Sequence, residues 1–461
     1  MTLSATPALD TAGIADLTAA VRGPVLLPTD EGFAEETAVW NVANPHRPLV
    51  AVGATSTADV AAAVGWAGRH GLAVAVQATG HGAVRPAVDC VLITTRRMRD
   101  LTVDPAARTA RAAAGVRWSQ VIEATAPHGL APLNGSSSQV GVVGYTLGGG
   151  LGPLGRTFGF AADHVRSVEI VTADGVTRTV DADHESDLFW AVRGGKGNFG
   201  IVTAIEFALF DVPALAGGGI YFPASHAAEV LHAYRAWAPT LPERMNTSLA
   251  LLRLPPLPQL PEPLRGAFVV HLRVAYLGDA TDAARLLEPM LAAAPTLLGG
   301  VGDLPYQAVD AIHQDPVDPT PTRERGVLLG DLTAATVEAL LATAGPQVDV
   351  PLIMVELRHL GGALGRPPAV PNAVTGRDAA YSLFVIGLGL PDLVPVVDAV
   401  TDAVLASADA TVPGGLLNFS GGGTPEALQA NWPPADRDRL LRIKRSYDPA
   451  NMFSTNQAIL A

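Results

Sequence analysis

Val140-Gly-Val-Val-Gly144-Tyr-Thr-Leu-Gly148-Gly149-Gly150-Leu-Gly152 is the stretch on which the reading of this chain turns. It lies in a run of eight glycines between Gly135 and Gly155, more than turns alone require. Glycine has no Cβ, so backbone N–H groups can converge on an anion in the nest geometry that holds phosphates. Two segments match the spacing G-x-G-x-x-G, Gly150 to Gly155 and Gly195-Lys-Gly197-Asn-Phe-Gly200. A Rossmann site needs a strand before the glycines and a helix after them. The second match reads as helix then strand, and the first holds Pro153 with no clear helix behind it. Both Rossmann readings are rejected, leaving an extended anionic ligand held by main chain.

Upstream, residues 49–53 read as a buried strand, and Ser56 or Thr57 offers a helix cap with Asp59 in the first turn. Val60, Ala63, Val64 and Ala67 recur at helical spacing, Gly71 stops the helix, and 72–76 is a second strand. Gln77-Ala78-Thr79-Gly80-His81-Gly82 follows at the carboxyl end of that strand, where α/β folds place ligands. Downstream, 91–122 gives short strands followed by a helix from Trp118 to Thr125, and 165–181 a hairpin turning at Ala173-Asp174-Gly175. A short helix over 188–193 and a strand over 201–209 flank the second glycine loop. The middle of the chain alternates in 247–254, 268–276, 351–359 and 381–388, with helical stretches over 225–238, 280–293, 333–343 and 391–407. In 268–276, Phe268, Val270, Leu272, Val274 and Tyr276 share one face while His271 and Arg273 point away. This predicts an antiparallel sheet with helices on one side.

The 461 residues are 48% hydrophobic and 16% charged, enough for a large core and against disorder. A net charge of −13 without a concentrated basic patch argues against nucleic-acid binding. Asp10, Asp16 and the lack of a basic residue before Arg22 argue against a secretory leader, and no apolar run is long enough for a membrane span. The single cysteine, Cys90, cannot form an internal disulfide. A cytoplasmic protein is expected. No metal-site, phosphate-loop or nucleophile-elbow motif is present in the sequence.

Two more segments complete a pattern: Asp187-Leu-Phe-Trp-Ala-Val-Arg-Gly-Gly-Lys-Gly-Asn-Phe-Gly-Ile-Val-Thr203, and Tyr447-Asp-Pro-Ala-Asn-Met-Phe453 followed by Asn456-Gln457. In order and spacing, the motifs resemble those of the berberine bridge enzyme-like flavoprotein oxidases, in the vanillyl alcohol oxidase and p-cresol methylhydroxylase (PCMH) superfamily. The resemblance implies an α+β fold. A PCMH-type FAD-binding domain of two α+β subdomains would span 1–212, split near 100. A substrate-binding domain with an antiparallel sheet covered by helices would span 213–415, and the segment 416–461 would return to the FAD domain. It further implies FAD bonded through its 8α-methyl carbon to His81. The implied cofactor contacts are Gln77, Ala78, Thr79, Gly80 and Gly82 around that histidine, then Ser137, Val140, Gly141, Gly144, Tyr145, Gly148, Gly149 and Gly152. Gly197, Gly200, Ile201 and Val202 come from the second glycine loop, and Asn456 from the end of the chain.

Two departures from the family pattern matter. Many members add a bond from a cysteine three residues before the Val-Gly pair. Here that position is Ser137, whose hydroxyl is a far poorer nucleophile than a thiolate, so a single bond is expected. The usual Arg-Ser-Gly-Gly-His reads Gln77-Ala78-Thr79-Gly80-His81, replacing a fixed charge by an amide and leaving the phosphates to backbone N–H groups.

On the substrate side, Met354 to Ala363 resembles the family's strand above the flavin. Glu356 is the candidate base or substrate-orienting group, with a pKa raised by an apolar pocket; pairing with an arginine such as Arg358, or facing solvent, is the alternative. Tyr381, His359, Tyr221 and Tyr145 are further catalytic candidates, with packing as the alternative for each. Leu416-Leu417 precedes Asn418-Phe419, so the tyrosine base of sugar-oxidising relatives is missing. A small, mostly apolar, natural-product-like substrate is expected, losing a hydride to FAD, with O2 reoxidising the flavin to give H2O2. Oxygen insertion on the same fold, or a non-redox cyclase or binding protein with structural FAD, are the alternatives. No metal is expected, and the protein would be a monomer or homodimer.

Overall fold

A computed structural model describes residues 11–422 and 424–459. The first ten residues, on which part of the leader reading rests, lie outside the described residues. The chain forms a four-stranded, a five-stranded and an eight-stranded sheet, with one two-stranded pairing besides.

In the four-stranded sheet, Val50–Gly53 leads through Ser56 into the helix Thr57–Arg69. The Ser56 hydroxyl accepts from the Asp59 N–H at 3.2 Å, a cap of about 1 kcal/mol. The Asp59 carboxylate accepts in turn from the Arg22 and Thr55 N–H groups. The strands before and after this helix, Val50–Gly53 and Val74–Gln77, are not neighbours. Val91–Thr94 lies between them and pairs parallel with both. All four residues of Val50–Gly53 and of Val91–Thr94 are buried, as parallel strands covered on both faces must be.

The five-stranded sheet runs Leu101–Asp104, Thr109–Ala113, Ile201–Ala208, Val165–Val171, Thr177–Asp181. Its last two strands are the hairpin expected from Ala173-Asp174-Gly175, where the Asp174 carboxylate accepts from the Val176 N–H. The glycine run folds as the short helix Val142–Leu147, an open turn, and the four-residue helix Gly155–Phe158.

The eight-stranded sheet is ordered Leu298–Pro305, Ala214–Pro223, Phe268–Tyr276, Met245–Arg253, Leu352–His359, Tyr381–Leu388, Thr322–Leu329, Thr411–Val412, and every pairing is antiparallel. Helices Ala227–Trp237, Ala280–Ala293, Ala334–Ala344 and Val394–Ala406 pack on the face carrying Val270, Leu272, Val274, Val355, Leu357 and Leu383. Strand side chains alternate, so the opposite face carries His271, Arg273, Ser248, Glu356, Arg358 and Phe384. Register places Arg273, Ser248, Arg358 and Ser382 in one cross-strand row, and Tyr221, His271, Ala250, Glu356 and Phe384 in the next. That second face looks toward the glycine run and forms the floor of the site.

After the sheet, helix Pro434–Tyr447 brings the chain back to the second glycine loop. The buried Lys444 ammonium donates to the carbonyls of Asn198 and Phe453 and to the Asp448 carboxylate, at 2.8–3.0 Å. Asn198 in turn donates to the carbonyl of Gln457 and accepts from the Ile459 N–H. Among the described residues, no helix is long and apolar enough to cross a membrane.

Candidate active site

Three separated segments converge on one groove. Gly80 has φ 76°, and a methyl there would lie 2.8 Å from the Val39 Cα and 2.9 Å from the Trp40 nitrogen, so only glycine allows this approach. The turn presents His81, whose ring stacks on Trp40 at 4.8 Å and whose Nδ1 lies 2.8 Å from the Thr79 hydroxyl. Burial, helped by the charge of Arg117, lowers the His81 pKa to about 4, so the imidazole is neutral at pH 7. Gly141 packs on this turn, since a methyl added to it would be 3.5 Å from the Ala78 Cβ. Lys196 of the second loop lies over both: its Nζ would be 3.9 Å from a methyl on Gly82, and its Cε presses on Gly148. Asn456 closes the far side by donating to the Gly82 carbonyl and accepting from the Val84 N–H, both at 2.9 Å.

The groove fits FAD by a test internal to the structure. A methyl on Gly144 would meet nothing within 4 Å, and one on Gly82 or Gly197 only a single atom near 4 Å, so these glycines face open space. Val76, beside Gly197, is 43% exposed at the end of a buried sheet, and the Gln77 Oε1 is buried without a partner. An extended cofactor would fill this cradle; glycines needed only for folding would be packed.

Other expected contacts have different surroundings. Ser137 is half-buried, its hydroxyl accepting from the Gln139 N–H, and the next residue, Ser138, is tied to the Asp310 carboxylate. The Val140 carbonyl accepts from the Trp118 N–H. The Tyr145 ring is fully packed between Gly135 and Gly150, with its hydroxyl beside Gly152, and burial raises its pKa well above the ordinary value. Gly149 and Gly200 have positive φ, and Ile201 and Val202 are buried strand residues behind the second loop.

Between Leu151–Pro153 of the glycine run and the sheet floor is a small, partly open cavity. Its polar lining comes from Asn246, Ser248, Arg273, His313, Arg358 and His359. Glu356 beneath it is 1% exposed and accepts from the Arg273 Nη1 at 2.7 Å and the Arg358 Nη2 at 2.9 Å. Burial alone would raise the Glu356 carboxyl, but the charges of Arg358 and Arg273, with lesser help from His313 and Ser248, hold it well below the usual carboxylate range. The expected raised pKa is therefore corrected: the carboxylate is ionised and engaged by two guanidiniums, which suits an orienting group and not a base. The pocket is mixed, with Leu151, Ile312 and Leu364 lining it beside Arg273 and Arg358.

The remaining catalytic candidates do not join Glu356. Tyr381 and His359 are cross-strand partners that stack at 5.3 Å on the helix-covered face. The Tyr381 hydroxyl is buried without a partner, and burial pushes its pKa up to about 12. His359 reaches the edge of the cavity, where the Arg156 guanidinium contacts its ring; burial and that charge lower its pKa to about 3. Tyr221 stacks flat on His271 at 3.9 Å on the floor itself. His271 accepts through Nδ1 from the Arg273 Nε, and burial and the same arginine keep it neutral. The alternation of 268–276 did signal a polar face, but no role was read for Arg273. His313, which ends a 3-10 turn far away in sequence, gave no signal at all.

Comparison with known proteins agrees with this architecture. A family model described as FAD binding domain matches residues 48–181, and one described as Berberine and berberine like matches 425–460. (R)-6-hydroxynicotine oxidase of Paenarthrobacter nicotinovorans is 27% identical over 463 residues, covering 95% of this chain and 97% of its own. An FAD-dependent monooxygenase of Penicillium roqueforti is 32% identical over 216 residues, 46% of this chain and 42% of its own. Among solved structures, 6-hydroxy-D-nicotine oxidase from Arthrobacter nicotinovorans superposes with a TM-score of 0.81 at 26% identity, covering 95% of this chain and 98% of its own. Chitooligosaccharide oxidase, at 20% identity and a TM-score of 0.82 over 97% of this chain and 99% of its own, shares the fold. Groove, sheet floor and returning C-terminus thus define an FAD-linked oxidoreductase. Its homologues are berberine bridge enzyme-like FAD oxidases with a PCMH-type FAD-binding fold, and the fold of this chain matches theirs.

Proposed function

We propose that FAD is held by a single covalent bond to His81 and that the enzyme removes a hydride from a C–H bond of a small organic molecule bound over the Glu356 floor. FAD held by His81 and the glycine loops would supply the hydride acceptor, with O2 as the oxidant of the reduced flavin and H2O2 as its product. The observation that carries the reading is the neutral His81 imidazole, set between two glycines at the mouth of an open groove. A neutral ring nitrogen is nucleophilic, and Trp40 stacked on the ring fixes its plane. No thiol competes, because Cys90 is buried and its pKa is pushed up to about 12 by burial and by Asp89. Backbone N–H groups of the glycine run would hold the pyrophosphate. The likeness to an oxidase of hydroxynicotine over nearly the whole chain supports a small ring-bearing substrate.

Denatured protein on a gel should fluoresce in acid, and His81→Ala should abolish that band; a surviving band would assign the bond to another residue. The match to a monooxygenase favours a second reading, oxygen insertion on the same scaffold. Stoichiometric peroxide supports the oxidase, whereas 18O from labelled O2 appearing in the product supports the oxygenase.

A further inference from the structure

We propose that the cavity over the sheet floor is a carboxylate-recognition subsite, and that the substrate is an apolar frame carrying one carboxylate, seated against Arg358 and Arg273. This rests on the reading of the chain as an FAD-linked oxidase whose substrate lies over Glu356.

The first support is charge. Arg273 and Arg358 are 4% and 9% exposed, and Glu356 balances only one of them. The nearby His271 and His313 are held neutral by burial and by these same arginines, so they add no charge at pH 7 and offer no balance. One positive charge is left uncompensated within the fold, a costly arrangement that an anion bound in the cavity relieves.

The second support is hydrogen bonding. The Arg358 Nε, the Asn246 Nδ2 and the His313 Nδ1 are all buried without a partner, and all three residues line this cavity. Buried polar groups are ordinarily satisfied, so several orphans around one cavity mark a ligand's place. Two of the three can only donate, and neutral imidazole can present N–H at Nδ1, so the complementary ligand is an acceptor. Guanidinium and amide donors meeting a planar acceptor of negative charge describe a carboxylate.

The third support is shape. Leu151, Ile312 and Leu364 line the rest of the cavity, and Phe419, whose ring lies 4.9 Å from the Arg358 guanidinium carbon, covers that arginine from the C-terminal segment. A charged end and an apolar body are thereby separated.

Benzoate and its neutral isostere benzamide discriminate directly. Each is titrated into the flavin-bearing enzyme at pH 7, followed by calorimetry and by the flavin difference spectrum. Benzoate is expected to bind at least about tenfold tighter than benzamide, and Arg358→Met to lose that preference while keeping the flavin. Equal affinity for the two probes, absence of benzoate binding, or a folded Arg358→Met that keeps the preference would each overturn the proposal. Should Arg358→Met not fold, the acid and amide comparison on the unaltered enzyme decides alone. Failure of that comparison in a yellow, covalently labelled protein sinks the subsite only. A colourless protein sinks the FAD reading instead, and calorimetry still reports on the cavity.

Discussion

Glu356 shows how far one residue's role depends on neighbours distant in sequence. A carboxylate on a strand facing a pocket reads as a base when only its own strand is visible. Arg358 on that same strand, at 2.9 Å, and Arg273 from a strand 83 residues away, at 2.7 Å, together reverse the sign of the pKa shift. Because the folded pKa lies below the ordinary 4.5, the carboxylate's contribution to stability is fully present above about pH 4.5. That contribution drains away as the pH falls toward the folded value. Glu356→Gln leaves two buried guanidiniums facing an uncharged amide and should cost about 3–5 kcal/mol near pH 7. Melting temperatures of the two proteins should draw together progressively as the pH falls below 4.5 and meet only below the folded pKa, where the acid is protonated in the folded state too and resembles the amide. A constant gap across pH would mean that charge is not what Glu356 contributes. Replacement should also leave the flavin attached, because His81 and the glycine loops are on other elements.

Elements were legible where their periodicity was clean and obscure where glycine diluted it. The strands Phe268–Tyr276 and Tyr381–Leu388 and the helices Trp118–Thr125 and Ala280–Ala293 fall at their expected bounds, because apolar residues recur at the right interval and caps or turns close them. Ala214–Pro223 and Leu298–Pro305 were not read as strands. Three consecutive glycines in the first, and Gly299, Gly300 and Gly302 in the second, leave no alternation to see. What makes them strands is pairing, with eight residues of each opposite the other. The strand–helix–strand over 49–76 was visible, but not the insertion of Val91–Thr94 between its strands, since order within a sheet is set by tertiary contacts. The C-terminal helix was hidden differently, its purpose being concentrated in Lys444. Lys444→Met keeps the stem but removes three donors, leaving the Asn198 and Phe453 carbonyls and the Asp448 carboxylate short of a partner. The expected loss is about 3 kcal/mol, together with lower flavin content, because Asn198 belongs to the second glycine loop. Urea unfolding with flavin absorbance as a second probe measures both; full flavin content would separate the latch from the groove.

At the scale of the whole molecule, the groove and the cavity are built by different parts of the chain, so chemistry depends on how those parts are fastened. The His81 groove is formed by the first two sheets and the glycine loops, and the cavity floor by the eight-stranded sheet. Arg156 is one such fastening. It leaves the short helix that ends the glycine run and donates from Nη1 to the Leu360 carbonyl at 2.6 Å, and from Nη2 to the Leu241 carbonyl at 3.1 Å. Its backbone N–H donates to the Asn246 Oδ1, which orients an amide that lines the cavity. Burial lowers the Arg156 pKa, yet the group remains a cation, and its carbonyl partners stand in for the water it has lost. Arg156→Met fills similar space but leaves two buried carbonyls unpaired, for an expected loss of about 2–3 kcal/mol. The groove residues are untouched, so covalent flavin should stay at the level of the unaltered protein. Turnover should fall through a displaced floor, with kcat/KM reduced about tenfold or more, since small misplacements of a substrate are amplified in rate. Loss of flavin in parallel with turnover would mean that Arg156 supports the groove itself, whereas unchanged kinetics in a destabilised protein would mean that the two parts keep their register through other contacts, among them Ser138–Asp310, Asp163–Arg377 and Asn41–Thr322.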